Sequence, residues 1–162
     1  MGFRAKKVDI EIEKQLLIGL IVSDTFLKRI IKVVDMNLLE LDTSRILVKW
    51  VVSYFKKYNK APGNMIQRIF EEQNVLLDDA ECDWIENFLI NLNNEYEKKG
   101  FNEAYLFDRC VEYFKKQHLK KSSKKIMSLL EQGKIKDAED IWLKKMKSQW
   151  HNQALRWRNH PR

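Results

Sequence analysis

The sequence predicts an all-α protein, a small helical bundle followed by a long antiparallel helical hairpin. Three observations lead there. The 162 residues include only five glycines and two prolines, too few for strands joined by tight turns. Apolar residues make up 44%, enough to argue against disorder. They recur three and four positions apart over long stretches, as one face of a helix requires.

Seven helical segments can be read in order. The first starts near Asp9 and carries a broad apolar face of Ile10, Leu16, Leu17, Leu20 and Ile21. The pair Ser23-Asp24 interrupts it, and either residue can cap a second helix bearing Phe26, Leu27, Ile30, Ile31 and Val34. From Asp35 to Leu39 the period is lost, which predicts a loop or short turn. The third helix follows the cap candidates Asp42 and Thr43, with Leu47, Trp50, Val51, Tyr54, Phe55 and Tyr58 read as its inward face.

Pro62 disfavours helix at Ala61 and Gly63 permits a turn, so the third helix ends at the stretch from Asn59 to Gly63. A short fourth helix then turns Ile66, Ile69 and Phe70 inward. The fifth spans about Asp78 to Lys98, with Cys82, Ile85, Phe88, Leu89, Leu92 and Tyr96 in register. Asp78, Asp79 and Glu81 in its first turn complement the helix dipole, as do Lys98 and Lys99 at its end.

Beyond Gly100 the pattern lengthens. Phe101 to about Gln132 reads as one helix, which Gly133 is placed to end as a left-handed cap. A seventh helix runs from about Ile135 through Ala138, Ile141, Trp142 and Met146, and the two arms make a hairpin. Between its apolar stretches the first arm has Gln117, Lys120 and Lys121 where core residues are due. Such an arm has too little to bury against itself, which predicts self-association. The expected interface is Phe107, Cys110, Val111, Phe114, Ile126, Leu129, Leu130, Ile141, Trp142 and Met146.

Three regions are therefore expected. Residues 1–97 form a globular helical domain, 98–147 the hairpin, and 148–162 a basic tail. Deleting 101–162 should abolish association and leave a folded monomer. The tail has Trp150 and Trp157 among three of the chain's eight arginines, and no lysine. Arginine interleaved with aromatics suits base stacking. A linker and a non-native remnant are the other readings.

Charge is unevenly spread. Six of the net +7 charges lie after Asp140, since residues 1–140 hold 24 basic against 23 acidic side chains. From Glu71 to Glu97 there are nine carboxylates and no Lys or Arg, whereas 98–125 hold nine basic residues against three acidic ones. Blocks of opposite sign can steer association, or they can simply be solvated faces. The lysines at Lys115, Lys116, Lys120, Lys121, Lys124 and Lys125 offer a nucleic-acid contact as an alternative function.

The chain has no sequence signature of catalysis. The P-loop pattern is missing, as are a G-x-S-x-G elbow and an H-E-x-x-H zinc pair. Cys82 and Cys110 stand far apart with no histidine at ligand spacing, so reduced thiols are expected, with no metal and no cofactor. The start of the chain lacks the apolar segment of a signal peptide, and the seven-residue run from Leu16 to Val22 cannot span a bilayer. A soluble, cytoplasmic, non-enzymatic protein with no membrane contact is the expectation.

One stretch is more specific. Val8 to Ile21 resembles the opening helix of DnaB-type replicative DNA helicases, with Glu13, Gln15, Leu17, Gly19 and Ile21 at the matching positions. Glycine inside an apolar helix costs roughly 1 kcal/mol against alanine, and close backbone approach is a physical reason to accept it. The third helix with Tyr58 to Gly63, and the hairpin after Phe101, are also similar to this family, particularly its phage and mobile-element members. The resemblance covers about residues 8–147. It implies an N-terminal domain that forms a collar over a hexamer, pairs through its hairpins and docks primase or another replication protein. In that family an ATPase motor follows the domain, and the chain carries none of its motifs. The acidic block at 71–97 departs from the family pattern.

Overall fold

Seven α-helices and two short 3-10 turns account for nearly all of the described residues, with no strand among them. The computed structural model describes residues 2–98 and 102–144, with backbone alone at 2–6, 8 and 93–98. The helices are α1 (Gly2–Val22), α2 (Asp24–Ile30), α3 (Asp42–Tyr58), α4 (Met65–Gln73), α5 (Asp79–Lys98) and α6 (Glu103–Glu131), then α7 over 135–144. The 3-10 turns are Met36–Leu38 and Asn74–Leu76. Contacts divide the chain into two units, one ending at Lys115 and the other beginning at Lys116.

In the first unit, α1 is the central element. Leu16, Leu17, Ile18, Leu20 and Ile21 are all buried, so its last two turns are apolar on every side. A helix of that kind must be surrounded. It packs most closely with α2 and α3. Ser23 then ends α1 and caps α2, its Oγ accepting from the Phe26 N–H at 3.1 Å. Asp24, the other cap candidate, has a different task. Its Oδ1 accepts from the Ala61 N–H at 2.6 Å, and the Gly63 N–H donates to the Ile21 carbonyl at 2.8 Å. These bonds tie the α3–α4 turn to the α1–α2 junction. That turn contains Asn59 and Gly63, both with positive φ, where glycine is free of the Cβ penalty.

The start of α3 differs from expectation. Its N-cap is Leu41, which has no side chain able to cap, and Asp42 instead pairs with Arg45 one turn on. A side chain from α1 supplies what is missing. The Glu13 carboxylate, fully buried, accepts from the Glu40 N–H at 2.5 Å and the Leu41 N–H at 3.2 Å. A carboxylate there also meets the positive end of the α3 dipole. Tyr113 of α6 donates its hydroxyl to the same carboxylate. Three donors thus compensate a charged side chain that burial alone would penalise.

Two further helix starts are capped by side chains close to them in sequence. Asp78 and Glu81 form a reciprocal capping box at the start of α5, with bonds of 2.8 and 3.1 Å. Asn102 caps α6 by accepting from the Tyr105 N–H at 3.0 Å. Ile85, Leu89 and Leu92 of α5 are buried, while Tyr96 lies outside the described side chains. The core then continues into α6 through Leu106, Cys110, Tyr113 and Phe114. The body therefore extends well past the boundary expected at 97, to Lys115.

Candidate functional site

The residues expected to form an association face fall into two groups. Cys110 and Phe114 are buried in the core of the first unit, and Phe107 packs partly buried against it. Val111, beside them, is half-buried. Cys110, Phe114 and Phe107 thus serve the chain's own packing rather than an external seam. The buried stripe of α6 keeps Cys110 and Phe114 and takes in Leu106 and Tyr113 rather than Phe107 and Val111. Met146 lies outside the described residues.

The remaining candidates belong to the second unit. Ile126, Leu129 and Ile141 are half-buried, whereas Leu130 and Trp142 are 47% and 54% exposed. Leu119, Met127, Ile135 and Leu143 are also exposed, and Ala138 is the unit's one fully buried apolar side chain among the described residues. The turn joining α6 to α7 is sharply defined. Lys134 donates to the Leu129 carbonyl at 2.9 Å and Gly133 to that of Leu130 at 3.0 Å, with Gly133 at φ +72°. That is a Schellman cap, and it places the left-handed residue where the sequence predicts it. Two helices with one small residue buried leave most of their apolar surface in water. Full burial of a large apolar side chain is worth about 1.5–3 kcal/mol, and each of these, already partly covered, would gain a fraction of that.

All six candidate nucleic-acid lysines are exposed. They do not share a face. At about 100° per residue, Lys115 to Lys125 fan over roughly three-quarters of the α6 circumference. A flat anionic surface could meet only some of them at once.

A second feature was hidden in the sequence. Trp50, Tyr54 and Tyr58, expected to point into the core with Leu47 and Val51, flank a groove between α3 and α4, Trp50 also packing partly buried against the core. The buried stripe of α3 is Ser44, Leu47, Val48 and Val51, which turns the aromatic row to the edge. Tyr54 and Tyr58 pack with ring centroids 4.6 Å apart, Trp50 lies 6.5 Å from Phe70, and Tyr58 is 52% exposed. Lys49 and Lys57 border the row, and the Lys57 ammonium sits 5.2 Å from the Tyr58 ring. Across the groove α4 contributes Met65, Ile69 and Arg68, the last in an exposed ion pair with Glu72 at 3.5 Å. The groove encloses about 810 Å³.

Four titratable groups among the described residues are displaced from their ordinary range, one of them the Tyr113 hydroxyl, which burial and then the Glu13 carboxylate push up. Hydroxyl donation from Ser23 and from Thr25 (2.6 Å) holds the Glu103 carboxyl below its usual value, against a smaller opposing effect of burial and with help from Arg29. Arg29 itself lies over the Phe107 ring at 4.3 Å, so two contacts fasten the start of α6 to α2. Burial pushes the Cys110 thiol up to about 12. Cys82 is also raised, first by desolvation and then by Asp79 and its acidic neighbours. Neither is a poised nucleophile. Among the described residues no cluster of His, Cys, Asp or Glu could hold a metal, and no helix is long and apolar enough to cross a membrane.

No protein-family model, no curated protein and no solved structure matches the chain.

Proposed function

We propose that this chain is a non-catalytic association and docking domain, of the kind that forms the collar of DnaB-type replicative helicases, without the ATPase motor. The observation that carries this reading is the apolar surface of α6 and α7 beyond Lys115, where Leu130, Ile135 and Trp142 stand in water. Contiguous exposed apolar side chains mark interaction surfaces. A second copy presenting the same arms would bury them, and a primase or another replication protein would dock on the assembly so formed. The resemblance over Val8 to Ile21 supports the helicase context. Of its five matching positions, Glu13, Leu17, Gly19 and Ile21 are buried and Gln15 is half-buried.

Sedimentation at tens of micromolar tests the reading. A dimer or larger species is expected, reduced to monomer by Ile135→Glu combined with Trp142→Glu with helicity unchanged. A strict monomer in the unsubstituted protein would sink it. The alternative, a DNA-binding accessory protein using Lys115 to Lys125, is favoured by the exposure of all six lysines and weakened by their spread around the helix.

A further inference from the structure

The geometry points to a single-stranded nucleic-acid site in the α3–α4 groove, distinct from the arms, the lysines of α6 and the basic tail. Its first element is a row of aromatics. Trp50, Tyr54 and Tyr58 recur every four residues, which sets them about 6 Å apart along the helix. Their rings line the groove, and Tyr58 keeps half of its surface in water.

The second element is charge. Lys49 and Lys57 run beside the aromatic row one position earlier, with the Ser53 hydroxyl between them, and Arg68 faces them from α4. Glu72 is the one carboxylate on the lining. Three cations against one acid favour an anion, and the adjoining rings favour an anion that carries flat aromatic groups. A polynucleotide with unpaired bases has both. Stacking on aromatics is tolerant of sequence, and lysines along the same edge follow the phosphates. Duplex DNA offers the rings no exposed base face, so it lacks half of what the groove recognises. An acidic peptide would satisfy the cations and leave the aromatic row unused.

The placement also explains an oddity of composition. Three large aromatics on one helix are normally core residues, and here Leu47, Val48 and Val51 are the fully buried apolar side chains of α3, with Trp50 only partly buried against the core. Trp50 is backed by Phe70, while Tyr54 and Tyr58 pack on each other within the row.

The test is fluorescence anisotropy of a labelled dT12 oligonucleotide with the full chain at low salt. Binding is expected, with a log–log salt slope of about −2 for three phosphates neutralised on a single strand. Tyr58→Ala should weaken it roughly fivefold or more, and Tyr58→Phe should restore it. Lys49→Gln with Lys57→Gln should flatten the slope to below one in magnitude. Lys124→Gln with Lys125→Gln should change affinity less than twofold. The proposal is overturned if dT12 does not bind, or if Tyr58→Ala binds as the unsubstituted protein does. It is also overturned if duplex DNA binds as tightly, or if a polyglutamate peptide displaces dT12 as well as unlabelled dT12 does. None of these readouts depends on whether the arms associate.

Discussion

The Tyr113 hydroxyl donates to the Glu13 carboxylate across 100 positions of chain, joining α6 to α1 at the point where Glu13 also holds the start of α3. Both residues are buried, so the bond is shielded from water. Removing one partner of a buried, charged hydrogen bond leaves the other unsatisfied, and that cost exceeds the net worth of the bond itself.

Tyr113→Phe should therefore destabilise the fold by about 1–3 kcal/mol. Glu13→Ala should cost more, because the Glu40 and Leu41 N–H groups lose their acceptor as well. Urea denaturation of the two single variants and the double variant measures the coupling. Simple additivity would mean that the two side chains do not act together.

Truncation should discriminate sharply between two positions. A chain ending at Lys115 keeps Leu106, Cys110, Tyr113 and Phe114, and is expected to unfold cooperatively. A chain ending at Gly100 loses all four. Core truncations of large side chains cost about 2–5 kcal/mol each, and a whole domain has only about 5–15 kcal/mol to lose. The shorter fragment should lack a thermal transition by near-ultraviolet circular dichroism. A cooperative transition in it would show that α6 is dispensable to the core.

Glu103 predicts a pH dependence with a definite sign. Its folded value lies below the ordinary glutamate value, so its contribution is fully present above that value, about 4.3. It is lost as pH falls through the lowered folded value. Glu103→Gln should therefore have a lower Tm than the unsubstituted protein at pH 7, and the two should converge toward pH 3. Parallel Tm curves across this range would remove Glu103 from the account.

Thiol reactivity provides a fourth check. At pH 8 Cys110 should resist an aromatic disulfide reagent until denaturant is added, since burial keeps it protonated and covered. Cys82, half-buried among carboxylates, should react more slowly than a free thiol yet without unfolding. Equal rapid labelling of both in the native protein would contradict the packing of α6.

Helix ends were legible because their causes are local. Ser23 and Gly133 each act within a few positions of themselves, and each does what its residue type suggests. The start of α3 was not legible, because its acceptor comes from Glu13, 27 positions earlier. Which face of a helix is buried was harder still. On α3 the residues at 47 and 51 and those at 50, 54 and 58 satisfy the same spacing, and periodicity cannot say which row looks inward. On α6 the same ambiguity favoured Phe107 and Val111 over Leu106 and Tyr113. A row of tyrosines with lysines beside it was the signal available for the groove, since both residue types keep a polar end wet.

The bonds from Ala61 to Asp24 and from Gly63 to Ile21 have one more result. They anchor the bend between α3 and α4 to the most deeply enclosed helix of the molecule, so the two walls of the groove cannot drift apart without disturbing its centre. Whatever enters must adapt to a cleft of set width. A supple strand can do so and a stiff one cannot, and the protein side of that encounter spends little on ordering itself.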